Sequence, residues 1–138
     1  MVTIVDTPID VALVTDAVRS SRHGAILVFE GVGRETHAGK IVSSLRYEAY
    51  VPMAERELAA IVTETQTKWP GSSVAIAHRT GCVAIGEPSV VIAVGAAHRD
   101  GAYAASRYAI DELKRRAPIW KQEVYADGTA WIANREPA

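Results

Sequence analysis

Four cations crowd one short stretch of this 138-residue chain. The run Lys114-Arg115-Arg116-Ala117-Pro118-Ile119-Trp120-Lys121-Gln122-Glu123 sets Lys114, Arg115, Arg116 and Lys121 around an expected helix end and the strand after it. Two readings are open. Cations at a helix C-terminus complement its dipole and need do nothing more. Alternatively, Pro118 turns the chain so that Lys114 and Lys121 face one anionic ligand. A desolvated lysine among other cations can serve as nucleophile or general base.

Two further groups carry charge at places where backbone can meet a ligand. Ala97-His98-Arg99-Asp100 follows the most apolar stretch and opens a helix. Amides at a helix start attract anions, and Arg99 can clasp a phosphate through paired hydrogen bonds. A helix cap made by Asp100, beside a solvated arginine, is the competing reading. In Gly31-Val32-Gly33-Arg34, two glycines permit close backbone approach and Arg34 supplies charge. A tight turn with an exposed arginine explains that loop more simply, and the GxxxxGK[ST] spacing of a phosphate loop is absent. The only cysteine, Cys82, lies in a strand-like run with no activating neighbour in sequence, so it reads as buried and inert. His23, His37, His78 and His98 lack metal-ligand spacing, and no metal site is expected.

These groups need elements to position them. A short strand is expected at residues 3–5. A helix capped by Asp10 should run to about residue 19, with Val11, Val14 and Val18 on one face. Residues 24–32 read as a strand, 33–40 as a loop and 41–50 as a second strand with a bulge. Pro52 suits the first turn of a helix that Pro70-Gly71 stops, with Met53, Leu58, Ile61, Val62 and Thr65 near helical spacing. Strands follow at 73–78, 81–85 and 89–96, the last apolar enough to be buried on both faces. A helix over 98–116 would carry Tyr103, Arg107, Ile110 and Leu113 along one side and end before Pro118. Strands at 119–125 and 129–132 flank a hairpin signal at Ala126-Asp127-Gly128. Adjacent strands with interspersed helices indicate an α+β domain.

The bulk composition narrows the function classes. At this length one core buries roughly two-thirds of the unfolded surface, so no disulfide or structural metal is needed. An apolar fraction of 49% and a charged fraction of 22% are those of a globular chain. Fifteen basic against sixteen acidic residues argue against a large nucleic-acid footprint. Residues 1–10 lack the pattern of a signal peptide, and no stretch is long enough to span a membrane. A single domain over residues 1–138, in a reducing cytoplasm, is expected.

Taken in order, the segments resemble one family. Gly24 to Gly31 followed by Arg34 is similar to its first core strand and arginine loop. Leu45-Arg46-Tyr47-Glu48-Ala49-Tyr50 with Pro52-Met53-Ala54 resembles its L-x-Y-E-x-Y-x-P-M-A run. Ile76-Ala77-His78-Arg79-Thr80-Gly81 resembles its I-x-H-R-x-G strand. Ala97-His98-Arg99, Tyr108-Ala109-Ile110-Asp111, Leu113-Lys114 and the P-I-W-K-Q-E segment from Pro118 to Glu123 complete the set. The match covers about residues 24–131. It is similar to the catalytic (large) subunit of molybdopterin synthase. Gly33 and Glu35 depart from the family pattern on either side of Arg34, the first where a larger residue is more common.

The resemblance implies an α/β-hammerhead fold, with a mixed antiparallel sheet and about three helices. It implies a sulfurtransferase that converts cyclic pyranopterin monophosphate to molybdopterin by two sulfur transfers, without a cofactor of its own. The sulfur would come from a small ubiquitin-like carrier whose C-terminal Gly-Gly tail ends in a thiocarboxylate. Two large subunits would form a homodimer within a heterotetramer. Substrate-binding positions carry over to Val32, Gly33, Arg34, His98, Arg99, Lys114, Lys121, Gln122 and Glu123, with Lys114 and Lys121 as the catalytic lysines. Two other readings compete: a non-catalytic paralogue that docks a ubiquitin-like carrier, and an unrelated small-molecule-binding α+β domain. Retention of Lys114, Lys121 and His98-Arg99 speaks against the first, and the ordered set of motifs against the second.

Overall fold

In the computed structural model, which describes residues 1–133, three helices pack on two sheets. The elements run β1 (Val2–Val5), α1 (Val11–Asp16), β2 (Ala25–Val32), β3 (Thr36–His37), β4 (Lys40–Ala49), α2 (Val51–Lys68), β5 (Ser73–Arg79), β6 (Gly81–Val83), β7 (Pro88–Ala96), α3 (Arg99–Arg116), β8 (Ile119–Tyr125) and β9 (Ala130–Ala133). This is the expected α+β class, with the strands divided between two sheets. The first has the order β1-β5-β7-β2, β1 being parallel to β5 and the other pairs antiparallel. The second has the order β3-β4-β8-β9, with β6 also paired to β4. No helix among the described residues is long and apolar enough to cross a membrane.

Strands β5 and β7 are buried on both faces, as continuous apolar runs require. Alternation sends Val74, Ile76, Val90, Ile92 and Val94 toward α2 and α3, and Ala75, Ala77, Val91 and Ala93 toward α1. Val14 and Val18 close the α1 side. On the other side, α2 buries Ala54, Leu58, Ile61, Val62 and Thr65, a spacing of three and four residues. Met53, expected on that face, is 45% exposed, because Ala54 takes the core position one residue on.

Helix α3 turns a different side inward from the one expected. Its buried residues are Ala102, Ala105, Ser106, Ala109 and Leu113, whereas Tyr103 and Arg107 lie in solvent. Small side chains let the helix axis approach the sheet closely, so the alanine stripe wins over the larger residues. Helix α1 stops at Asp16, short of the expected end, although Val18 still packs inward. Residues 36–40, expected within a loop, form a tight hairpin with the strand that follows, and its turn holds Ala38 and Gly39 at φ 51° and 79°. Two positive φ angles match the twist of the paired strands.

Gly95 marks where β7 is pressed hardest. A Cβ there would lie 2.3 Å from the Val18 carbonyl oxygen and 2.4 Å from His23 Nδ1. The His23 ring is itself fixed between the carbonyls of Val18 and Gly71. Gly95→Ala should therefore destabilise the fold by about 1–3 kcal/mol, the usual cost of overpacking. Chemical denaturation measures this; an unchanged midpoint would mean that the segment from Val18 to His23 yields freely.

Candidate active site

The cationic run separates by function as soon as the helix is in place. Arg116 turns back onto α2, where Nε donates to Glu57 at 3.1 Å and Nη1 to Glu64 at 2.6 Å. Arg115 pairs with Glu112 on its own helix. Arg116 thus ties α3 to α2, while Arg115 is engaged within α3 itself. Lys114 lies partly buried in the last turn of α3, and its charge is felt at His78 near the end of β5.

His78 and Tyr47 connect the two lysines. The His78 ring meets Tyr47 edge-on at 5.4 Å between centroids. Tyr47 in turn stands directly across from Lys121 in the β4–β8 ladder, so their side chains share one face. On its other flank Tyr47 pairs with Gly81, where an added Cβ would meet nothing within 4 Å. Lys114 therefore lies near His78 and Lys121 beside Tyr47, and the two rings meet between one sheet and the other.

His78 is 4% exposed, and its Nδ1–H donates to the Arg79 carbonyl at 3.0 Å. Burial, reinforced by the charge of Lys114, lowers its pKa to about 4 against the opposing pull of that hydrogen bond. The ring is thus neutral at pH 7. Arg79 points to the opposite sheet face, with Nη1 3.3 Å from Glu87 Oε2.

Glu123 is buried at 5% exposure beside Lys121, whose Nζ lies 3.2 Å from Oε1. Its other oxygen accepts from His37 Nδ1 at 2.6 Å and from the Tyr125 hydroxyl at 3.2 Å. Burial alone would push Glu123 up. The hydrogen bonds and charges of His37 and Lys121 together outweigh it and hold the carboxyl below its usual range. Burial, and then the bond to Glu123, raise Tyr125.

The remaining positions divide by geometry. Arg34 is exposed, three residues before His37, in the loop that enters the hairpin. Val32 is 48% exposed, and Gly33 is pressed so closely that a Cβ would lie 2.0 Å from Leu45 Cδ1. That contact accounts for a glycine before the arginine. Gln122 projects from the other face of β8, pairing with Arg46 and lining a cavity of about 150 Å³ with Glu48 and Trp120. His98 and Arg99 are exposed at the start of α3, where His98 is the N-cap and makes no side-chain cap bond. His98 lines a cleft of about 540 Å³ with Arg22, Lys68 and Asp100. At 1.5 Å per residue, the helix separates them from Lys114 by about 24 Å within one chain.

Cys82 is exposed rather than buried. It is the outward residue of the short strand β6, whereas its neighbour Val83 is 1% exposed. Alternation would have put Lys121, Glu123 and Tyr125 on one face and Gln122 on the other, had it been applied to this strand. His78, Tyr47 and His37 lie far from the cationic run in sequence and carry no short-range signal.

Comparison with known proteins assigns this arrangement to a family. The family described as MoaE protein matches residues 4–116. The chain belongs to the MoaE protein family. It is 49% identical over 128 residues to a rice (Oryza sativa subsp. indica) molybdopterin synthase catalytic subunit, covering 93% of this chain and 66% of that protein. It therefore spans slightly under two-thirds of the length of that relative. It is 46% identical over 132 residues to the Bacillus subtilis molybdopterin synthase catalytic subunit, covering 96% of this chain and 84% of that one. Its fold superposes on the crystal structure of molybdopterin synthase from Staphylococcus aureus with a TM-score of 0.90, 41% identity and 94% coverage of each chain. The family match takes in His78, Tyr47 and Lys114 and ends before Lys121.

The buried imidazole makes a stability prediction with a definite sign. Unfolded, His78 binds its proton near pH 6.5; folded, only near pH 4. Between those values the unfolded chain holds more protons, so acidification weakens the fold by up to about 1.4 kcal/mol per pH unit. Above pH 6.5 the group is neutral in both states and the effect vanishes. His78→Asn keeps a donor but cannot titrate, so its stability should decline less steeply from pH 6.5 to 4. Denaturation curves with the same slope in both proteins would mean that His78 is not held neutral.

Proposed function

We propose that this chain is the catalytic subunit of a molybdopterin synthase, a cytoplasmic sulfurtransferase acting as one domain. Its substrate is cyclic pyranopterin monophosphate, and its sulfur comes from the thiocarboxylated Gly-Gly tail of a small ubiquitin-like carrier. The observation that carries the reading is the placing of Lys114 and Lys121 around His78 and Tyr47 in a chain 46% identical to an enzyme of that name. The name "catalytic subunit" borne by that relative supports a second subunit beside it.

The chemistry suits the site. A cyclic phosphate needs cations, and a thiocarboxylate brings its own nucleophilic sulfur, so no cysteine is required of this chain. Lys114, beside a neutral imidazole, acts as base or as transient acyl acceptor. Lys121 and Arg34 hold phosphate or carboxylate oxygens, which binds the reactants in register and stabilises developing negative charge. Gly81 leaves room beside Tyr47 for an extended tail to approach.

His98 and Arg99 enter this site from a second copy. The length of α3 keeps them about 24 Å from their own Lys114. A groove of about 590 Å³ between β2 and α3, lined by Leu27, Phe29, Tyr103 and Ile110, gives a homodimer an apolar surface. A docking paralogue without turnover has no feature of the site in its favour.

Two variants test both the lysine and the shared site. Lys114→Ala and Arg99→Ala should each abolish or cripple conversion of cyclic pyranopterin monophosphate by thiocarboxylated carrier, while keeping a native circular-dichroism spectrum. Co-expressed, they should regain activity, because a mixed dimer has one site with both residues intact. Near-normal product from the Lys114→Ala protein would remove the lysine from the chemistry. Failure of the mixture, with mixed dimers shown by mass spectrometry, would place Arg99 outside the site.

A further inference from the structure

The lysine on β8 is held by a carboxylate that is itself gripped from a separate hairpin. Glu123 accepts from His37 at 2.6 Å, and because a carboxylate cannot donate, Nδ1 of His37 carries the proton. The same oxygen takes the Tyr125 hydroxyl, leaving Oε1 aimed at Lys121. His37 comes from β3, across 86 residues of sequence, and its hairpin is the one that Arg34 enters. One buried carboxylate is therefore where the arginine loop and the lysine strand meet.

We propose that His37 is a positioning residue of the sulfur-transfer site, clamping Glu123 so that Lys121 and the Arg34 loop meet one substrate together. The proposal rests on the functional reading above. A lysine side chain has four flexible carbons, and holding it in one rotamer requires a fixed partner. A charged carboxylate at 5% exposure is such a partner only while its own bonds are satisfied. Without the His37 donor, Glu123 either turns away or takes up a proton, and a neutral carboxyl no longer holds the ammonium group. Among the described residues, the side chains that hydrogen-bond or ion-pair with Glu123 are His37 from β3 and Lys121 and Tyr125 from its own strand.

The test compares two substitutions in the chain assembled with its small subunit. His37→Phe fills the space without a donor. His37→Asn sets an amide N–H close to the position of Nδ1. His37→Phe should raise KM for the pyranopterin substrate roughly tenfold, the effect of one charge-assisted hydrogen bond, with a smaller change in kcat. His37→Asn should stay within about threefold of the wild type on the same scale. Carbon-13 titration of the Glu123 carboxyl supplies a readout that needs no turnover: its pKa should rise in His37→Phe and remain low in His37→Asn. Unchanged KM in His37→Phe, or equal loss in both variants, overturns the proposal. If His37→Phe does not fold, His37→Leu, which also lacks a donor, replaces it, and Leu and Asn behaving alike overturns the proposal. If the wild-type assembly makes no product, the functional reading fails on its own, and an unmoved Glu123 titration then decides against the clamp.

Discussion

Burial of β5 and β7 on both faces is the constraint from which the rest of the structure follows. A strand pair with no wet side must be covered twice, and the cover on one side is α2 and α3. The alanine stripe of α3 sets how close that helix comes, and Leu113 anchors its last turn. Lys114, the next residue, is delivered to the end of β5 by that packing. His78 reaches the same place because it continues the row of Val74 and Ile76. The hydrophobic layer thus decides where the charged groups sit, at the edge where it runs out.

Charge in this site is held by pairs that leave few buried groups unsatisfied. Glu123 is stable as a buried anion because three side chains surround it. His78 stays neutral because it is buried from water, an effect that the charge of Lys114 reinforces. Arg115 and Arg116 are drawn off to Glu112, Glu57 and Glu64, which separates them from the lysines they adjoin in sequence. A run that reads as one basic patch is in fact divided, with Arg116 bracing α3 to α2 and the two lysines lying beside His78 and Tyr47.

What the sequence disclosed depended on the range of each interaction. Helices α2 and α3 were legible because spacing and proline are local signals, and β7 because an apolar run speaks for itself. The face of α3 was not, since Tyr103 weighs more than Ala102 in any count of apolar bulk, whereas packing favours the smaller residue. The β3–β4 hairpin escaped because Ala38-Gly39 lacks the asparagine or aspartate that usually announces such a turn. Cys82 was misplaced because a three-residue strand gives too little alternation to read. The lysines were visible by type. Their companions His78, Tyr47 and His37 come from other strands, and only folded geometry joins them.

The rod-like character of α3 also bears on how chain length can change. A helix advances 1.5 Å and turns about 100° for each residue. One residue inserted or lost inside α3 would swing Lys114 a quarter-turn away from His78, while the alanine stripe would leave the sheet. Drift in length must therefore accumulate elsewhere, in turns such as Ala126-Asp127-Gly128 that point into solvent. Between its two ends this helix works as a fixed gauge, and the gauge tolerates exchanged residues far better than a changed number of them.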